Sequence, residues 1–534
     1  MADDYGGSGR LAGRRAVLTG AMAAGGAALL SACRGPGRAA GAAPAGSSRA
    51  GARTARPPTA ADWAALGHDL SGPLVRPGEA SYAVAKRLFD PRFDVRKPAG
   101  IAYCRGPQDV STCLAFVRTY GVPVAARCGG HSYAGWSSTS GLIIDVTRMA
   151  GVQVSGTTAI AGAGTRLIDF YSGLAAQGRA VPGGSCPTVG ISGLTLGGGV
   201  GVVARAYGLT SDNLRSLQLV TADGQIRTCD SGENADLYWA CRGGGGGNFG
   251  IATSFTFGTY PAGDIVVFFL YWPWAQAEQL IAAWQSWAPR GPDQLWSNMH
   301  LSAAPGGGTP SIEVGGTYIG SAGEAYTQLE KLYAAVGSRP SSFYLNTMSW
   351  LEAMLLQAGC ASLTVQECHL PTQMAGGQIL RASEFAKSDI FTAPLSGSGI
   401  GTLLRGIENL RDVAGAPGGS GGIAFDSLGG AVNRVAPSAT AFVHRNGLFQ
   451  AQYTTGWTVP PDGIPPAGAL RQRVWQLTFW KSMRPYASGQ AYQNYIDPDL
   501  GGWRTAYYGA NLARLTQIKA AHDPDDVFSF PQSL

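Results

Sequence analysis

Two segments of the chain each set a nucleophilic side chain among glycines: Arg127-Cys128-Gly129-Gly130-His131-Ser132-Tyr133 and Gly183-Gly184-Ser185-Cys186-Pro187-Thr188-Val189-Gly190. An imidazole and a thiol can both form a covalent bond to an electron-poor ring, and glycine lets backbone approach a ligand closely. Taken singly, a histidine after two glycines is usually a turn residue and a cysteine a small apolar group. Together in one chain, they point to a tethered cofactor.

The elements that must position these side chains follow from local pattern. Residues 99–104 read as a strand, Gly106-Pro107 opens a helix over 109–120, and 122–127 form a second strand that runs into the Gly-Gly-His turn. Residues 142–146 are a third strand. A strand feeding a glycine turn presents backbone N–H groups to a diphosphate. A helix over 166–177 precedes the cysteine segment. Beyond it, Gly190, Gly193, Gly197, Gly198, Gly199 and Gly201 are interleaved with Ile191, Leu194, Leu196, Val200 and Val203. A flexible linker would not carry residues that want burial, so close packing on a planar ligand is expected. Residues 217–228 are a hairpin on an Asp-Gly turn, and 248–253 lead into a strand that closes a first domain near 260.

From 264 the texture changes. Strands at 266–272, 295–301, 311–319, 423–426, 441–444 and 448–457, with helices over 276–287, 324–335 and 348–357, predict an antiparallel sheet covered by helices on one side. Such a sheet makes a roof over a cofactor and the seat of substrate choice. A last amphipathic helix over 508–521 stops before Pro524.

Composition narrows the function classes. With 78 glycines in 534 residues but 45% hydrophobic and 10% aromatic side chains, the chain is globular, not disordered, and long enough for two domains. Its net charge of +6 sits in residues 1–56, which hold eight arginines, no lysine and two aspartates; the remaining 32 basic and 32 acidic residues balance. No basic face is left to argue for nucleic acid. No metal is called for.

The leading arginines have their own reading. Arg14-Arg15 precede the apolar run 16–30, too short to span a bilayer, and Leu30-Ser31-Ala32-Cys33 resembles a lipobox. Residues 1–33 thus read as a twin-arginine lipoprotein-like signal, and 34–58 as a flexible tether. Export and a lipid on Cys33, the chain's one membrane contact, follow. The mass of the mature protein tests this, and an unmodified chain starting at Met1 would rule processing out. In an exported protein the near pairs Cys229/Cys241 and Cys360/Cys368 are disulfide candidates, with connectivity left open by sequence.

The His segment, the Cys segment, the stretch Leu209-Thr210-Ser211-Asp212-Asn213-Leu214 and Arg242-Gly243-Gly244-Gly245-Gly246-Gly247-Asn248-Phe249-Gly250 occur in that order. With Tyr492-Gln493-Asn494-Tyr495 near the end, the chain from about residue 99 resembles the berberine bridge enzyme-like FAD-linked oxidases of the p-cresol methylhydroxylase and vanillyl-alcohol oxidase superfamily. The resemblance implies an α+β fold. A two-part FAD-binding domain (95–264) of the p-cresol methylhydroxylase type would be followed by the antiparallel-sheet substrate domain (265–485) and a C-terminal segment (486–534) packed on the first.

It also implies FAD bonded twice, His131 to the 8α-methyl and Cys186 to C6. The diphosphate and ribityl chain would lie along Arg127, Cys128, Gly129, Gly130 and Ser132 with Gly190 and Gly193, and the adenine near Asp212, Gly250 and Ile251. Tyr133 would sit at the flavin edge, Val189 would gate oxygen, and Gln452 would face the substrate. Of the terminal motif Tyr492, Asn494 and Tyr495, one tyrosine would be the general base, Tyr495 the first to test. Two departures stand out: Leu194 where many relatives have a histidine, and Val200 where several have an active-site tyrosine.

The implied reaction oxidises a C–OH group of a sugar or hydroxylated metabolite. A base takes the hydroxyl proton, hydride passes to flavin N5, and O2 returns as hydrogen peroxide. The alternatives are an FAD-dependent dehydrogenase or bond-forming enzyme, or an exported lipoprotein that binds flavin without turnover.

Overall fold

The computed structural model describes residues 56–458, 460 and 464–534. The twin-arginine leader, Cys33 and the tether up to residue 55 lie outside them.

Short apolar strands with glycine or proline at their ends build the first domain. Gly100–Tyr103, Leu142–Asp145 and Val124–Arg127 pair in parallel, and Leu74–Val75 adds an antiparallel edge. A parallel pair needs a crossover, and the helix Pro107–Tyr120 supplies it. Proline at its first turn and Gly121 at φ 62° just past its end fix its limits. A second, antiparallel sheet takes the order Val152–Ser155, Thr158–Gly162, Ile251–Gly258, Leu214–Val220, Ile226–Cys229. Its last two strands are the expected hairpin. The glycine-rich stretch after Cys186 includes a short helix, Ile191–Leu196.

The second domain is one seven-stranded antiparallel sheet in the order Ser342–Met348, Ile265–Trp272, Ser311–Tyr318, Leu295–Ala303, Ser420–Ser427, Phe449–Trp457, Ser383–Phe391. Alternation along its middle strands decides which face does what. Leu295, Met299, Leu301, Ile423, Phe425, Phe449, Ala451 and Tyr453 share one core with the helices Ala277–Trp287, Ala322–Val336, Gly397–Glu408 and Ala467–Met483. The residues between them, Trp296, Asn298, His300, Ala424, Asp426 and Gln452, turn the other way, toward the first domain. A helix-covered sheet is thus also a polar ceiling.

Several sequence expectations need correction. Residues 441–444 are not a strand: Phe442 donates its N–H to the Arg242 carbonyl, and the segment docks on the glycine run after Arg242 instead of joining the sheet. The helix expected over 348–357 starts at Trp350, because Ser349 and Glu352 form a capping box. The helix expected over 508–521 is two helices, Trp503–Tyr508 and Leu512–His522, broken at Gly509 with φ 47°. Cys360 and Cys368 are bonded, whereas Cys229 and Cys241 are separate buried thiols, each packed in the apolar core of the first domain.

The final segment returns to the first domain and locks the two together. Lys387, on the outermost strand of the ceiling, meets Asp497 at 2.6 Å, and both are almost fully buried. Asp497 follows Tyr495 by two residues, so the ion pair fixes the terminal motif against the ceiling.

Candidate active site

A cavity of about 610 Å³ lies between the first domain, the ceiling and the C-terminal segment. One flank is backbone. Arg127 through Tyr133, Gly190, Gly193, Gly246, Gly247, Gly250 and Ile251 line it. The His and Cys segments touch across this flank: a Cβ on Gly190 would sit 2.0 Å from Cys128 Sγ, and one on Gly129 would sit 2.4 Å from the Gly190 nitrogen. Only glycine permits that approach. The Cys segment is pinned behind by Leu167 N–H to the Val189 carbonyl and Ile191 N–H to the Thr165 carbonyl, both at 2.9 Å.

His131 is held in plane by Phe89, stacked at 4.0 Å, while its Nε2 lies 2.9 Å from Thr188 Oγ1. Burial, reinforced by the nearby Arg166 charge, lowers its pKa to about 3, so the imidazole is neutral. Cys186 opens onto the cavity yet lies deep within the protein. That depth, with Glu384 nearby, pushes its thiol up to about 11. Cys128, the third nucleophile of the lining, gives its thiol proton to the Ala163 carbonyl at 3.0 Å.

Opposite lies the ceiling. Gln452 donates to Tyr133 Oη at 2.8 Å, Gln450 donates to Asp426 at 3.0 Å, and Asn298 and His300 are 3.0 Å apart. Burial holds the Asp426 carboxyl above its ordinary range, and holds Glu384 up at about 7 with Asp90 adding to the effect. The tyrosines close the side between. Tyr495 is edge-on to Tyr133, ring centres 6.0 Å apart, and to Tyr492 at 5.0 Å. The Tyr492 hydroxyl accepts from Gly199 N–H (2.9 Å), Val200 N–H (3.4 Å) and Asn494 Nδ2 (2.9 Å). Burial raises the pKa of both tyrosines, but only at Tyr492 do three donors pull the other way.

Comparison with known proteins places this geometry. Residues 98–230 match the model of an FAD binding domain, and 491–534 match that of "berberine and berberine like" proteins. The chain is 33% identical over 473 residues to the uncharacterized FAD-linked oxidoreductase YgaK of Bacillus subtilis, covering 87% of this chain and 97% of that one. The solved structure of Physcomitrella patens BBE-like 1 superposes with a TM-score of 0.77 at 30% identity, over 88% and 98% of the two chains. The chain belongs to the berberine bridge enzyme-like family of FAD-linked oxidoreductases. Another relative of this berberine bridge enzyme-like protein is the chitooligosaccharide oxidase of Gibberella zeae, 30% identical over 459 residues, covering 82% of this chain and 87% of that one.

The cavity suits FAD on its own chemistry. Arg127 Nη1 and Ser138 Oγ are buried at its wall with no protein partner, as donors awaiting an anionic group would be, and Trp136 and Phe530 pair at 5.1 Å along the lining. Of the residues expected from sequence, His131, Cys186, Arg127, Cys128, Gly129, Gly130, Ser132, Tyr133, Val189, Gly190, Gly193, Gly250, Ile251, Gln452, Tyr492, Asn494 and Tyr495 all line this one space.

Asp212 does not. Its carboxylate is clamped by the buried Arg445 guanidinium at 2.7 and 2.8 Å and caps the Leu209 N–H, away from the lining. The structure places it in an ion pair with a cation from 233 residues on, outside the lining of the cavity. The departures also find places. Val200 contributes its N–H to Tyr492, and Leu194 gives its carbonyl to Asn494 at 3.0 Å. Sequence reasoning missed Phe89, Asn298, His300, Glu384 and Asp426. For Asn298, His300 and Asp426 the signal was available, polar side chains on one face of strands that were expected; the mostly polar strand Ser383–Phe391 that carries Glu384 was not expected.

Proposed function

We propose that this protein is an oxidase that takes hydride from a C–OH carbon of a carbohydrate or related alcohol, with FAD tethered through His131 and Cys186. The observation that carries the reading is the polar ceiling of Asn298, His300, Asp426 and Gln452 facing the His131/Cys186 flank with the Tyr492 hydroxyl between. Kinship with a chitooligosaccharide oxidase supports a sugar as donor. Bound FAD supplies a hydride acceptor and then passes the electron pair to oxygen, giving hydrogen peroxide.

Within that frame Tyr492 is the base. A tyrosine ordinarily titrates near 10, too high for a base near neutrality. Two backbone N–H groups and the Asn494 amide aimed at its oxygen support the phenolate form. Gln452 and Tyr133, bonded to each other, orient the substrate from the ceiling side. Over a full turnover the alcohol and molecular oxygen become the corresponding carbonyl compound and hydrogen peroxide. The hydride from carbon and the proton from the hydroxyl supply both hydrogens of the peroxide, so atoms and electrons balance. We place the activity outside the cytoplasm on the twin arginines of the leader.

A panel of sugars and simple alcohols run on the purified yellow protein tests this. Peroxide is expected in step with sugar oxidation. Flavin bleaching without peroxide would make it a dehydrogenase, and no bleaching by any donor would leave only a flavin-binding protein.

A further inference from the structure

We propose that Glu384 is a substrate-binding carboxylate of this site, taking paired hydroxyls of a neutral polyol as a hydrogen-bond acceptor and turning acidic analogues away. The inference rests on the reaction proposed above and adds the class of sugar selected.

Glu384 is the second residue of the outermost ceiling strand, Ser383–Phe391, and lines the cavity. What sets it apart is what it lacks. Four buried carboxylates are matched by cations, Asp145 by Arg127, Asp212 by Arg445, Asp389 by Arg484 and Asp497 by Lys387, while Asp109 accepts from Ser71 and Asp426 from Gln450. The Glu384 carboxylate has no hydrogen-bond or ion-pair partner among the described residues.

The charged and titratable groups around it explain why. Asp90 is paired with Arg92 at 2.7 Å and accepts from Ser383 Oγ at 3.1 Å; its charge raises the Glu384 pKa, and the Arg92 charge offsets part of that rise. Across the cavity, Tyr133 and Cys186 are the titratable groups whose protons its charge affects. An unpartnered carboxyl in such a place holds its proton up at about 7, half ionised at neutrality. Two hydroxyl donors from a ligand would supply the hydrogen bonds that burial removed.

The same geometry disfavours an anion. The arginines that line the cavity lie on the other flank: Arg96 is committed to the carbonyls of Ala134, Gly135 and Ser138, and Arg127 bonds Asp145 through Nε and keeps Nη1 for the cofactor side. A substrate carboxylate at the ceiling would meet Glu384 and Asp426, whose charges His300 and the Asp90-paired Arg92 already offset in part. A neutral vicinal diol meets an acceptor.

Because the ligand's donors favour the ionised carboxyl, binding lowers its pKa and releases a proton near neutrality. KM should therefore rise as pH falls through 7. The test uses the flavin-loaded protein with glucose, xylobiose and chitobiose as substrates, and 1,5-anhydroglucitol as a glucose analogue lacking the anomeric hydroxyl. Calorimetry at pH 7 in two buffers of different ionisation enthalpy should show proton release on binding the polyol. Glucuronate should bind at least tenfold more weakly than glucose. In Glu384→Gln, KM for the best sugar should rise about tenfold or more with kcat within a few-fold, and both the proton release and the pH slope of KM should vanish. Retained yellow colour and an unchanged melting temperature show that the variant is folded. Polyol binding without proton release in the unaltered protein, or a variant with unchanged KM and pH slope, overturns the assignment. If polyols bind with proton release yet none is oxidised, the assignment stands and the oxidase reading falls.

Discussion

Replacing Tyr492 with phenylalanine is expected to slow reduction of the bound flavin by substrate about 10²–10⁴-fold, the range a positioned proton-transfer group supplies. The change removes one oxygen and keeps the ring, which packs edge-on against Phe442 at 5.9 Å and Tyr495 at 5.0 Å, so cavity and cofactor should persist. It also strands two backbone donors, Gly199 N–H and Val200 N–H, and leaves Asn494 Nδ2 with the Leu194 carbonyl. Each buried group left unpaired costs about 1–3 kcal/mol, so a lower melting temperature should accompany the slow rate. Rapid-mixing absorbance under anaerobic conditions, with substrate affinity taken from the concentration dependence, separates the two effects. The pH profile is the sharper readout. Flavin reduction should accelerate as pH rises and Tyr492 loses its proton, and that limb should be absent from Tyr492→Phe.

Tyr495→Phe is the necessary contrast. Its hydroxyl has no hydrogen-bond partner among the described residues, and burial together with Asp426, Tyr133 and Tyr492 drives its pKa well up. A loss of only a few-fold is expected. Should Tyr495→Phe instead cost more than Tyr492→Phe and erase the pH limb, the base is Tyr495.

How far such a site can be read from sequence depends on where its residues draw their partners. That the His131 and Cys186 segments meet was legible because residue type and local spacing carry the information: glycines around a nucleophile mean close backbone approach, and Gly129 and Gly190 do interlock. The alternating strands were legible for the same reason, since a period of two assigns faces before any contact is known. The setting of Asp212 was not legible, because its partner is Arg445, a cation 233 residues away that no local pattern reveals. Residues 441–444 look like a strand by composition, yet the neighbouring glycine run offers a better dock for Phe442 than a sheet edge. Asp426 went unnoticed because alternation says which way a side chain points, not that the other domain has placed a cleft there, and Glu384 because its mostly polar strand, Ser383–Phe391, has no clear period of two. The terminal tyrosines were visible as a pair. Their ranking needed the loop 197–200, whose N–H groups single out one of them.

Removing both anchors should turn a protein that keeps its flavin through acid denaturation into one that releases all of it. In His131→Ala or Cys186→Ala alone, the remaining bond should keep the flavin with the precipitate, and only the double variant should leave a yellow supernatant. The geometry explains why each is competent. His131 is neutral, with a pKa lowered to about 3, so it keeps a lone pair. In the tautomer that donates Nε2–H to Thr188 Oγ1 that lone pair resides on Nδ1, and the stacked Phe89 ring holds the imidazole plane. Thr188→Val frees the tautomer and should leave a measurable fraction of protein bonded only through cysteine, seen by peptide mass mapping. Cys186 opens onto the cavity but its thiol is held up at about 11, so its bond should form more slowly than the histidine bond when apoprotein is loaded, and faster as pH rises. Flavin retained by the double variant would require a third nucleophile. Cys128 lines the same space, but its thiol donates to the Ala163 carbonyl and its sulfur faces the backbone of Gly190, 2.0 Å from where a Cβ there would stand.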